Sequence, residues 1–174
     1  MYPFTLIAKE TPWIDSLSLG IGHANGGADT YRFAVQHPFA SRLWQGENMH
    51  LSGYSELAVG YWNNHDQDIT TVSLSPVLQF FFCENHFLFK PYIELGLGIT
   101  FLSNKYIYDD TIKQRNLSSH WQFEDRISIG FKIKKYDLNL RFLHYSNAGF
   151  NNPNDGMDMV QLTLTYHMGS ESDE

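Results

Sequence analysis

Apolar and polar residues alternate with period two through most of this chain. The clearest stretch is 92–102, where Ile93, Leu95, Leu97, Ile99 and Phe101 take one parity and Glu94, Gly96, Gly98 and Thr100 the other. Successive side chains of a strand point to opposite faces, so this pattern predicts strands with one apolar side. The same reading gives strands over 16–22, 31–37, 52–62, 71–83, 121–133, 136–147 and 158–168. Most approach the length that crosses a bilayer obliquely, about 9–11 residues. The polar parity carries Arg32, Glu56, Glu94, Glu124, Arg126, Lys132 and Arg141 among glycines and hydroxyls. Charges of both signs packed with small residues suit the narrow lumen of a small barrel, where they can pair.

The predicted fold is therefore all-β, an eight-stranded antiparallel transmembrane barrel over 14–168. An N-terminal segment, 1–13, precedes it and a polar tail, 169–174, follows. Longer connections near 24–29, 63–70, 103–119 and 148–157 alternate with connections near 38–49, 84–86 and 134–135, as extracellular loops alternate with periplasmic turns. Trp62, Trp121 and Tyr145 fall at one rim and Trp13, Trp44 and Tyr136 at the other, where interfacial girdles belong. A soluble lipid carrier with the apolar face turned inward fits the alternation too and stays open at this point.

Composition changes this picture little. Mean hydropathy is −0.33, which alternating barrel strands allow, and no apolar run reaches the length of a spanning helix. A formal net charge of −7 without a basic patch argues against a nucleic-acid partner. Cys83 is the one cysteine, so no internal disulfide and no cysteine-based zinc site can form. The histidines outside 144 are scattered without metal-ligand spacing. No basic region followed by an apolar stretch opens the chain, so the reading is that of a mature outer-membrane chain, with a cytoplasmic protein as the alternative.

The chemistry concentrates near the end of the seventh predicted strand. His144 and Ser146 share the parity of Leu138, Leu140 and Phe142, so a base and a hydroxyl continue an apolar stripe. A serine becomes a nucleophile when a neighbouring base takes its proton, and the base needs a partner to fix its tautomer. Two acids qualify. Asp158 opens the next strand with the outward parity of Val160 and Leu162. Asp125 falls directly opposite His144 if Lys134 and Lys135 form a two-residue turn. Asn147 and the backbone around Ala148 and Gly149 could donate to an oxyanion.

The run His144-Tyr145-Ser146-Asn147-Ala148-Gly149, followed by Pro153-Asn154-Asp155-Gly156, resembles the active-site segment of the outer-membrane lipid A 3-O-deacylases, the PagL family. Lys90 to Gly98, Gln122 to Arg126, Leu51 to Tyr54 and Leu74 to Val77 are similar to other family segments, so the resemblance runs from about 14 to 168. It implies an outer-membrane serine esterase that hydrolyses the ester-linked 3-hydroxyacyl chain of lipid A within lipopolysaccharide, without metal or cofactor. His144 would be the base, Ser146 the nucleophile, and Asn147 an oxyanion or loop-ordering residue beside Gly149. The family's acid is a glutamate two residues after Asn-Asp-Gly; this chain carries Asp158 there, one methylene shorter, and the resemblance favours it over Asp125. Oligomeric state is left open, a homodimer included. The competing readings are a non-catalytic barrel that anchors or adheres through its loops, and a degenerate esterase.

Overall fold

The computed structural model describes residues 13–63, 68–82, 89–109 and 112–168. Cys83, His65, His86 and most of the two terminal segments lie outside them. Eleven strands follow in order: β1 (Ser16–Ala24), β2 (Asp29–Pro38), β3 (Trp44–Gln45), β4 (Met49–Asn63), β5 (Ile69–Phe82), β6 (Lys90–Leu102), β7 (Tyr106–Asp109), β8 (Lys113–Asn116), β9 (Trp121–Ile133), β10 (Tyr136–Ser146) and β11 (Met157–His167). Eight of them close a barrel of antiparallel neighbours in the order β1, β2, β4, β5, β6, β9, β10, β11, with β11 returning to β1. β3 is a short edge piece on β4, and β7 and β8 form a separate hairpin in the loop between β6 and β9.

The barrel is apolar outside and polar inside. Leu19, Ile21, Phe33, Leu57, Leu74, Leu95, Leu97, Ile129 and Leu140 are exposed on the outer face, while Arg32, Glu56, Glu94, Glu124, Arg126 and Arg141 are buried in the lumen. A continuous apolar exterior of this kind is stable where lipid covers it, and closure leaves no strand edge unpaired there. The inward-facing soluble carrier is thereby set aside.

Lumen charges pair in a compact lattice. Arg32 reaches Glu56 at 3.0 Å and Glu124 at 2.9 Å, and Arg126 reaches the same two carboxylates at 2.6 and 2.9 Å. Tyr145 adds its hydroxyl to Glu124 at 2.9 Å and sets its ring edge-on to Trp62, with centroids 5.2 Å apart. Trp62 and Tyr145 are therefore lumen residues, not girdle residues. Their inward parity explains it, since each stands next to outward-facing neighbours, Tyr61 in the first case and His144 and Ser146 in the second. Trp13, Trp44, Trp121 and Tyr136 do face outward. At the opposite mouth His167 bridges Asp137 on β10 at 2.9 Å and Ser16 on β1 at 2.7 Å, tying three consecutive strands together.

Candidate active site at the outer rim

Tyr145 fixes the orientation of its neighbours. A one-residue slip of β10 would drive the tyrosine into lipid and break its bond to Glu124, so His144 and Ser146 are held outward by what lies inward between them. Two neighbouring strands bring acids to the level of His144. β11 places Asp158 opposite it, and β9 places Asp125 opposite it on the other side. The second pairing follows from the two-residue turn at Lys134 and Lys135, with Ile133 paired to Tyr136 and Lys134 left-handed at φ 52°.

Only one of the acids is bonded to the histidine. His144 Nδ1 lies 2.6 Å from Asp158 Oδ1, with the two side chains 38% and 43% exposed, so the pair sits at a surface and not in the core. Asp125 is exposed, and no hydrogen bond or ion pair joins it to His144 among the described residues. With Nδ1 occupied by a carboxylate, the proton resides there and Nε2 is the nitrogen left as a base. Ser146 follows two residues on, half-buried, at the last position of the strand.

Asn147 is nearly fully buried and orders the loop that follows. Its Nδ2 donates to Leu117 O at 3.0 Å, and its Oδ1 accepts from Gly149 N at 2.9 Å and Asn151 N at 3.4 Å. Its own backbone N–H donates to Asn154 Oδ1 at 3.1 Å. Both ends of the Asn147 carboxamide are thus engaged, Nδ2 by Leu117 between β8 and β9 and Oδ1 within the loop, where the Gly149 N–H is engaged too. Ala148 and Gly149 are left-handed at φ 52° and 79°, which turns the chain sharply beside Ser146.

The hairpin of β7 and β8 embraces this loop, and sequence reasoning missed it. Arg115 holds Asp109 at 2.7 Å and donates Nη1 to the carbonyls of both Asp155 and Gly156 at 3.0 Å. Asn116 N donates to Asp155 Oδ2 at 2.7 Å, and Ser118 Oγ to Pro153 O. Asn25, in the turn between β1 and β2, bonds the free oxygen of Asp158 at 3.2 Å and was also missed. Its partner is far away in sequence, and only barrel closure brings them together.

Below the histidine, on the outer wall, lies an apolar groove of about 590 Å³. Leu78, Leu95, Leu97, Ile127 and Phe142 line it, and His144 and Asp125 border it. Pro76, also in its lining, has no N–H to give the ladder. A histidine and a carboxylate at the edge of a hydrocarbon-lined slot put polar groups beside surroundings suited to an apolar chain.

Known proteins resemble this chain in sequence and in fold. The family model described as lipid A 3-O-deacylase (PagL) matches residues 29–167. The lipid A deacylase PagL of Pseudomonas aeruginosa is 33% identical over 149 residues, covering 84% of this chain and 82% of that protein. The lipid A deacylase PagL of Bordetella bronchiseptica is 31% identical over 171 residues, covering 93% and 87%. A crystal structure of the outer membrane enzyme PagL superposes with a TM-score of 0.79 at 30% identity, covering 88% of this chain and 99% of that one. The chain belongs to the PagL family of lipid A 3-O-deacylases.

Proposed function

We propose that this barrel is a serine esterase of the bacterial outer membrane that removes the 3-O-linked hydroxyacyl chain of lipid A from the outer leaflet. The observation that carries the catalytic reading is the 2.6 Å bond between His144 Nδ1 and Asp158 Oδ1 on the lipid-facing side. His144 Nε2 takes the proton of Ser146 as Oγ attacks the ester carbonyl. Collapse of the tetrahedral species breaks the bond to the sugar oxygen, and the imidazolium returns its proton to that leaving group. Water, deprotonated by the same nitrogen, then releases the hydroxy acid and restores the serine. Asp158 holds the tautomer and stabilises the imidazolium throughout. The acyl chain occupies the groove along Leu95, Leu97, Ile127 and Phe142.

Asn147 serves this chemistry by shaping the loop. Gly149 N–H, released from Asn147 Oδ1, is the backbone donor assigned to the oxyanion. No metal or cofactor has a step in this scheme.

Lipid A incubated with the detergent-folded protein, beside a Ser146→Ala control, tests the reading by mass spectrometry. Loss of one hydroxyacyl mass from the 3-position, absent in the control, is the expected result. Unchanged lipid A with a folded barrel, or equal loss in the control, would overturn it.

A further inference from the structure

Among the described residues, the carboxylate of Asp158 bonds two side chains. Oδ1 meets His144 Nδ1 at 2.6 Å, and Oδ2 accepts the side-chain amide of Asn25 at 3.2 Å. Asn25 also makes a reciprocal pair with the backbone of the same residue. Asp158 N donates to Asn25 Oδ1 at 3.1 Å, and Asn25 N donates to Asp158 O at 2.8 Å. One turn residue thus fixes both the main chain and the side chain of the acid.

The second torsion of an aspartate is broad, so its own rotamer preference does not choose the angle at which one oxygen faces a given nitrogen. On an outer face, with the Asp158 side chain 43% exposed, surrounding packing does not choose it either. A carboxamide suits the task because it offers a donor to the carboxylate and an acceptor to the backbone N–H at once. We propose that Asn25 is a positioning residue, which sets the rotation of the Asp158 carboxylate and through it the orientation of His144. This rests on the reading of Ser146, His144 and Asp158 as the reacting set; Asn25 touches none of the reacting atoms.

The turn that carries Asn25 is itself clamped. Ala24 N donates to Ala28 O at 2.8 Å, and Gly26 lies against the hairpin so closely that a Cβ there would sit 2.7 Å from Asp109 Oδ2. Asp109 is held by Arg115, whose other nitrogen holds Gly156 O, and a Cβ at Gly156 would stand 3.1 Å from the ring of His144. Base and acid are therefore braced from opposite sides by one hairpin.

Turnover of lipid A in detergent is measured for Asn25→Ala, Asn25→Asp and Asp158→Ala, with heat-modifiable gel migration to show that each barrel is closed. In Asn25→Ala, kcat falls on the order of 10–100-fold with KM little changed, as for a misplacement near an ångström. Asn25→Asp keeps the shape and the acceptor but loses the donor, and falls at least as far. A third comparison separates positioning from general loop support. Glutamate at 158 reaches about 1.3–1.5 Å further and brings its own extra torsion, so Asn25→Ala costs at least fivefold less in an Asp158→Glu background. Full activity of Asn25→Asp, or the same loss in both backgrounds, would overturn the role of Asn25. Those results leave the reacting set intact if Asp158→Ala is inactive. A fully active Asp158→Ala would overturn both readings together.

Discussion

Gly156 lies against the imidazole of His144: a Cβ at 156 would stand 3.1 Å from Cε1 and 3.7 Å from Nε2. The residue is also left-handed, at φ 62°. Glycine is favoured there twice over, once by the backbone and once by the nearness of the ring. Gly156→Ala meets a left-handed conformational cost of about 1–2 kcal/mol and places a methyl 3.1 Å from the ring. The ring must give by a few tenths of an ångström, a fraction of the ångström misplacement that costs about 100-fold in rate. Turnover of Gly156→Ala on lipid A should fall severalfold, well short of about 100-fold, while heat-modifiable migration stays as in the parent. Undiminished turnover would show that the base does not depend on this turn.

The two acids beside His144 separate cleanly under substitution. Asp158→Asn keeps the size of the side chain and removes the charge that orients and stabilises the imidazolium. Its kcat should fall on the order of 10²–10⁴-fold. Asp125→Asn should retain activity within a few-fold, because Asp125 shares the level of His144 on β9 without bonding it. The reverse ranking in a kinetic assay would transfer the orienting role to Asp125.

Much of this was legible in the sequence, for a local reason. Period-two alternation is a property of neighbouring residues, and so are hairpin turns. Together they placed each spanning strand and put Asp125 opposite His144, with the turn at Lys134 and Lys135 found as expected. Strand ends were less well read: β4 begins at Met49 and not at 52, because Met49, His50 and Leu51 pair with Phe82, Phe81 and Phe80 across the sheet. Trp62 and Tyr145 were drawn to a girdle by residue type, although their parity already pointed inward. The hairpin of β7 and β8 left no usable signal, since four-residue strands inside a polar loop carry too few alternations. Asn25 was invisible for a different reason. Its environment is made by the β1–β11 seam, where Ala24 pairs with Met159, and seams between chain ends are written in no local window.

The lumen lattice supports the site from within, and its weakest point is predictable. Arg126 Nη2 stands between Glu56 at 2.6 Å and Glu124 at 2.9 Å, and Glu124 in turn holds Tyr145. Arg126→Met leaves these buried carboxylates short of positive charge. Removing one member of such a set costs roughly 3–5 kcal/mol. Urea unfolding in lipid vesicles should show a loss of that order. Combining Arg126→Met with Glu56→Gln should recover part of it, because charge balance returns. A double variant as unstable as the sum of the singles would mean that packing, and not charge, sets the stability here.

Arg115 joins the hairpin to the turn at Asp155 and Gly156, and its chemistry is specific to a guanidinium. Nε and Nη2 fork onto Asp109 Oδ2 at 3.2 and 2.7 Å, while Nη1 reaches Asp155 O and Gly156 O at 3.0 Å. A lysine carries the charge but cannot make both contacts from one planar group. Arg115→Lys should therefore behave like Arg115→Ala, with kcat reduced about tenfold or more, near the general cost of a displaced catalytic group. Both variants should also be cut sooner by protease between 103 and 119, where the hairpin has lost its anchor. The decisive comparison is the pair with Gly156→Ala. Residues acting on one contact give non-additive losses, and Arg115 and Gly156 both act on the seat of the His144 ring. Arg115→Ala with Gly156→Ala should lose less than the sum of the two, since Arg115 acts in part through Gly156 and in part through Asp155 and Asp109. Fully additive losses would mean that Arg115 acts through Asp155 and Asp109 alone.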